Sequence, residues 1–165
     1  MPNPPFTMSG FEPLPMTALQ RAMHEVTEMM DLPAASDRSD ISDAGLLIVV
    51  ARKVSQGLTT SLVDRLLESG WKPGEISWIV PPRTLKRRVQ SSQSLSQEES
   101  ERLVRALKIQ ELAKAVFGSH EKAHRWLTKP RKAFDNTSAA ELMQTEQGAD
   151  AVEEELIRID YGFVA

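Results

Sequence analysis

Apolar residues recur at three- and four-residue spacing along most of the chain and seldom alternate, so the predicted elements are helices. Thr17 can cap a helix over Ala18–Met30 whose Leu19, Met23, Val26 and Met30 fall on one stripe. A helix this short is marginal alone. It has to pack on its own domain or on a second copy, and its own domain is the favoured surface. Pro33–Asp40 reads as a linker. The run Ala44–Val54 could be a strand on β-branching alone, but Asp43 as N-cap, Arg52 and Lys53 in the last turn and Gly57 beyond favour a helix. Ser61–Ser69 is a second helix, with Leu62, Val63, Leu66 and Leu67 buried and Gly70 as its stop. Lys72-Pro73-Gly74-Glu75 opens a third, and Trp71 and Trp78 read as core residues of this small bundle.

That third helix runs into Ile79-Val80-Pro81-Pro82. A residue before proline is pushed toward an extended conformation, and proline suits the first position of a helix, so one helix should stop and another start here. In the new helix Leu85 and Val89 can face inward, leaving Arg83, Lys86, Arg87 and Arg88 outward beside Thr84. No acidic residue lies between Ile76 and Gln97. Two short helices, a tight turn and an undiluted basic second helix predict helix-turn-helix DNA binding, with phosphate contact favoured over a merely solvated face. Arginines on phosphates position a protein without reading sequence.

Ser96-Gln-Glu-Glu99 is a capping box opening a helix that runs to Phe117 and stops at Gly118. Its broad inward stripe is Leu103, Val104, Leu107, Ile109, Leu112, Ala113 and Val116. Ser119 caps a short helix ending near Thr128, before Pro130. Ser138-Ala-Ala-Glu141 is a second capping box. Thr145 caps a last helix with Ala149, Val152, Leu156 and Ile159 inward and Glu153, Glu154 and Glu155 outward. After Asp160 comes an apolar, aromatic end, Tyr161-Gly162-Phe163-Val164-Ala165. Such an end either packs on its own domain or plugs a partner's pocket. Aromatic anchors carry much of an interface's energy, which favours the plug for Tyr161 and Phe163.

Composition narrows the class without changing the elements. The chain has 165 residues, 41% hydrophobic and 26% charged, as in an ordinary globular protein, and 5% aromatic residues speak against a sheet-rich core. Residues 1–40 hold six of the ten prolines, and the first sixteen are expected to have no stable fold. Zero cysteines exclude disulfides, thiol catalysis and Cys-ligated zinc, and fit a reducing cytoplasm. No run is long enough to cross a bilayer, and the start lacks a signal peptide's basic and apolar regions. Charge is uneven: residues 76–100 carry net +2, residues 101–132 net +6, and residues 133–165 net −7. A basic centre and an acidic end suggest a polyanion and a protein surface as partners, against the plain alternative of two solvated faces. His120-Glu121-Lys122-Ala123-His124 matches the H-E-x-x-H zinc pattern, but a catalytic zinc needs a third protein ligand and the remaining histidine, His24, is far away in the chain. No metal, cofactor or catalytic group is expected.

Several short motifs occur in order. They are Arg83-Thr84-Leu85-Lys86-Arg87-Arg88, Leu95–Leu103, Ala115-Val-Phe-Gly118, Lys122-Ala123 with Arg125-Trp126-Leu127, Glu141-Leu142, Thr145-Glu-Gln-Gly148 and Ile159-Asp-Tyr-Gly162. Over roughly residues 45–165 this series resembles the Xre, MbcA and ParS antitoxins, partners of RES-type toxins. The resemblance implies an all-α fold in three parts: a proline-rich arm with one short helix over 1–40, an Xre-like helix-turn-helix domain over 41–95, and a small helical toxin-binding domain over 96–165. It implies no enzymatic activity. The partners implied are a RES-type toxin that degrades NAD or transfers ADP-ribose, and operator DNA. A homodimer within a larger toxin-antitoxin complex is expected, with no membrane. Tyr161, Gly162, Phe163, Val164 and Ala165 would cover the toxin's active-site cleft, and Arg83, Thr84, Lys86, Arg87 and Arg88 would meet DNA. The alternative is a helix-turn-helix transcription regulator whose C-terminal domain only oligomerises.

Overall fold

A computed structural model describes residues 16–32 and 43–162. The linker expected at Pro33–Asp40 and the residues Phe163, Val164 and Ala165 lie outside them. Eight helices and one small antiparallel sheet make an all-α fold. At its centre is α5 (Gln97–Phe117), against which α1 (Ala18–Met29), α2 (Asp43–Gln56), α3 (Ser61–Glu68), α6 (His120–Thr128) and α8 (Glu146–Asp160) all pack. The capping box starts α5 as expected: Ser96 Oγ accepts from the Glu99 N–H, and Glu99 Oε2 accepts from the Ser96 N–H at 2.8 Å. Gly118 ends it at φ +84, a conformation costly for other residues. Between these caps no glycine or proline interrupts the helix. Leu103, Ala106, Leu107, Ile109, Leu112 and Ala113 are at most 1% exposed, so almost the whole circumference is core rather than one stripe.

α1 lies on α5 and touches α8, so it packs on its own chain as expected. Its innermost residues are Ala18, Ala22, Val26 and Thr27, with Leu19 and Met23 at the flank. The two alanines let the helix backbones approach closely, and that rotates the predicted leucine–methionine stripe sideways. The start of α1 meets the end of α8: the Ala18 N–H donates to Asp160 Oδ2 at 3.4 Å, a carboxylate at the positive end of a helix.

α2 begins at Asp43; the capping role expected of that side chain lies outside the described residues. Gly57 follows it at φ +86, where an added Cβ would sit 2.3 Å from the Leu95 carbonyl oxygen. The helix expected to open at Lys72 does not form. Residues 73–79 are a succession of tight turns, with Glu75 N–H bonded to the Lys72 carbonyl and Ile79 N–H to that of Ile76. Pro73-Gly74 and Pro81 leave too few residues to repay helix nucleation, and Ile76, Ile79 and Val80 must all be buried, which one helical face would not allow. Trp71 is buried and donates through Nε1 to the buried Gln110 Oε1 at 2.7 Å; Trp78 is half-buried. The basic helix α4 (Pro82–Gln90) starts with Pro82 at its first turn, as the proline pair requires.

Beyond α6, β1 (Pro130–Arg131) pairs with β2 (Thr137–Ser138). Asp135 and Asn136 turn the chain between them at φ +52 and +61, in the left-handed region these two residue types tolerate. Trp126 anchors this hairpin, with Phe134 edge-on at 5.9 Å and the Arg131 guanidinium 4.5 Å above its ring. The second predicted capping box opens α7 (Ala139–Leu142), through Ser138 and Glu141. Thr145 then caps α8, accepting from the Gly148 N–H. A Cβ on Gly148 would lie 2.0 Å from the Leu142 carbonyl oxygen, so only glycine allows α8 this close to α7. Ala149, Val152 and Leu156 are buried as predicted, with Ile159 half-buried. The outward triplet holds only for Glu154. Glu153 pairs with Lys108 on α5, and Glu155 turns to Arg158 at 2.8 Å. Among the described residues no helix is long and apolar enough to cross a membrane.

Candidate functional site

Two surfaces carry the residues singled out from sequence. The first is α4. Arg83, Lys86 and Arg87 are exposed, stand at i, i+3 and i+4 on one face, and have no ion-pair partner among the described residues. Thr84 is half-buried at the edge of that face. Arg88 departs from the expectation of an outward cation. Its Nε lies 2.9 Å from Glu99 Oε2, its Nη1 donates to the Ser94 carbonyl at 3.0 Å, and its side chain is only 18% exposed. The contact to Glu99 is ionic rather than an aligned hydrogen bond, since Arg88 Nε has no hydrogen-bond acceptor. Arg88 lies three residues after Leu85, on the inward side, so the helix buries Leu85 and Arg88 and leaves Val89 56% exposed. Val89, Leu85, Val80, Ile76 and Leu67 line an apolar groove of about 450 Å³ beside the cationic face.

The second surface is the end of α8. Tyr161 is its C-cap and is 61% exposed, and Gly162 follows at φ +76. Chain leaving Gly162 therefore starts from an exposed aromatic corner. Met16, 46% exposed, precedes the start of α1, which Asp160 holds by the Ala18 N–H.

The H-E-x-x-H residues do other work. His120 Nδ1 is 3.2 Å from Gln110 Nε2, while His124 Nε2 is 3.3 Å from Glu75 Oε2 and its ring meets Trp71 edge-on. Glu121 is exposed and paired with Arg125. Both histidines thus brace residues 71–75, the turn run leading to α4. Burial alone would raise the Glu75 carboxyl. The Lys72 backbone N–H, His124 and the Lys72 charge outweigh it and hold the group below its ordinary value. Among the described residues no cluster of three His, Asp or Glu could hold a metal ion.

Sequence reasoning missed a third feature. Leu47 and Ile48 on α2 are 58% and 55% exposed beside a groove of about 440 Å³ between α2, α5 and α8. A signal was there: Leu46-Leu-Ile-Val-Val50 circles a helix, and five consecutive apolar residues cannot all face one core.

The architecture defines a class: a small helical protein with a cationic surface helix, linked through one central helix to a helical unit ending in an exposed aromatic. The comparisons give that class its family. The family described as the antitoxin Xre/MbcA/ParS C-terminal toxin-binding domain matches residues 112–162. The chain is 36% identical over 125 residues to the antitoxin Xre of Pseudomonas putida, covering 75% of this chain and 79% of that one. It is 26% identical to the antitoxin Xre of Yersinia enterocolitica over 159 residues, 94% of this chain and 98% of the relative. A third relative, the antitoxin Xre of Photorhabdus laumondii, is 27% identical over 116 residues, 68% and 78% of the two chains. The chain belongs to the Xre/MbcA/ParS antitoxin family. Its role is that of an antitoxin in a toxin-antitoxin system, with a toxin as partner.

Proposed function

We propose that this antitoxin neutralises a RES-type, NAD-consuming toxin by obstruction, its final residues from Tyr161 to Ala165 entering the toxin's active-site cleft, with no chemistry of its own. The observation that carries this reading is the position of Tyr161. It is an exposed aromatic directly at the end of the family's toxin-binding match, residues 112–162, where a soluble helix would ordinarily finish in polar side chains. The toxin-binding unit spans residues 96–165 and the DNA-binding unit 41–95, and the protein works as a homodimer within a larger complex. Arg83, Lys86 and Arg87, with Thr84 beside them, contact operator phosphates, so that the complex represses its own promoter. Arg88 serves the same helix from inside.

Removing Tyr161–Ala165 tests this. The truncated protein should keep its helicity and its DNA affinity while toxin-arrested cells are no longer rescued. Full rescue by the truncation would overturn the plug. The plain-regulator alternative, in which residues 96–165 only oligomerise, requires that no complex with a RES-type protein co-purifies.

A further inference from the structure

The proline-rich arm before Met16 has no assigned role, and the fold puts its root at a telling place. The Ala18 N–H meets the Asp160 carboxylate, so the start of α1 and the end of α8 share one corner of the molecule. Both carry an exposed apolar side chain there, Met16 at 46% and Tyr161 at 61%. Two lengths of chain lead away from this corner: residues 1–15 on one side and Phe163–Ala165 on the other. Their chemistry matches. Residues 1–15 hold Phe6, Met8, Phe11, Leu14 and five prolines, with Glu12 the single charge; the tail Tyr161–Ala165 has no charged side chain.

We propose that the arm is a second toxin-contacting strap, clasping the same partner that the tail enters, so that one corner of the antitoxin presents two apolar segments to it. This rests on the toxin-binding reading above and extends it to residues 1–16. The tail alone is too small for a stable complex, because a standard interface needs about 800 Å² from each partner. Fifteen residues reach about 50 Å when extended, far enough to cross a small toxin's surface. Prolines lower the conformational entropy lost when such a segment is fixed, and Phe6 and Phe11 are suited to be its anchors. Because the arm is tethered beside the docked tail, it binds at high effective concentration and adds affinity without a large surface of its own. The partner must therefore offer an uncharged apolar recess outside its active-site cleft.

The experiment uses full-length antitoxin, a variant lacking residues 2–15, the double variant Phe6→Ser/Phe11→Ser, and the tail truncation, each titrated with catalytically disabled cognate toxin. Loss of the arm should weaken binding about tenfold or more, mostly through faster dissociation, with the melting temperature of the free antitoxin unchanged. The double serine variant should show most of that loss. Unchanged affinity without the arm, alongside binding lost on tail truncation, would overturn the strap and leave the plug standing. A lowered melting temperature in the armless protein would show that the arm packs on its own body, which also overturns the strap. If neither truncation alters binding, the plug and the strap fail together.

Discussion

Arg88 separates structural cations from nucleic-acid-binding ones on a single helix. Replacing it with glutamine removes the ionic contact to Glu99 and the hydrogen bond to the Ser94 carbonyl, leaving Glu99 with only its capping partner. Breaking a fully buried pair costs about 3–5 kcal/mol. Here the two side chains keep 18% and 11% of their exposure, so solvent screens part of that and the expected loss is about 2 kcal/mol. For a chain of this size that lowers the melting temperature by about 4–8 °C. Urea denaturation followed by tryptophan fluorescence should show a lower midpoint with an unchanged slope. Glu99→Gln keeps an oxygen for the capping box and completes a double-mutant cycle, which should give a favourable coupling. Arg87→Gln is the contrast: its midpoint stays put, while the salt dependence of DNA binding falls by about one phosphate contact, a slope change near 0.9. The reasoning is refuted if Arg88→Gln leaves the midpoint unmoved and reduces the salt slope as Arg87→Gln does.

Gly148→Ala should gain about 1 kcal/mol of helix propensity but lose more to the overlap 2.0 Å from the Leu142 carbonyl, for a net destabilisation of about 2 kcal/mol by chemical denaturation. The Glu75 carboxyl is held below its ordinary value of 4.5, so its contribution is present above that pH and is lost as pH falls through the lower folded-state value; a Glu75→Gln variant should lack that part of the acid limb in a stability–pH series. Neither zinc nor a chelator should move the melting temperature, whereas His124→Ala should lower it, since Trp71 and Glu75 lose a shared partner. A zinc-dependent rise in melting temperature abolished by His120→Ala would contradict that assignment.

Elements whose signals are local were legible in the sequence. The capping boxes at Ser96 and Ser138, the cap at Thr145, the stop at Gly118 and the Pro82 start of the basic helix all stand where side-chain chemistry placed them. What failed depended on neighbours far away in the chain. The turn run at 73–79 replaces a helix because α5 and α3 demand that Trp71, Ile76, Ile79 and Val80 all be buried. Arg88 was read as an outward cation because nothing nearby in sequence announces Glu99 across the Ser91–Ser96 connector. The inner face of α1 shifted to Ala18 and Ala22 because close helix approach outweighed side-chain size. The Asp135-Asn136 hairpin was readable from residue type, but with two-residue strands it left no alternating pattern to find.

The family's toxin-binding match begins at Leu112, inside α5, and the same helix supplies the interior for α1, α2 and α3. A fragment cut at that boundary would strip the shared axle of half its turns, so the inhibitory portion is not detachable from the nucleic-acid portion. When a cellular protease pulls one side open, the other loses its scaffold in the same event. Loss of repression and release of the toxin would then come together, on one clock set by how readily a single helix is unthreaded.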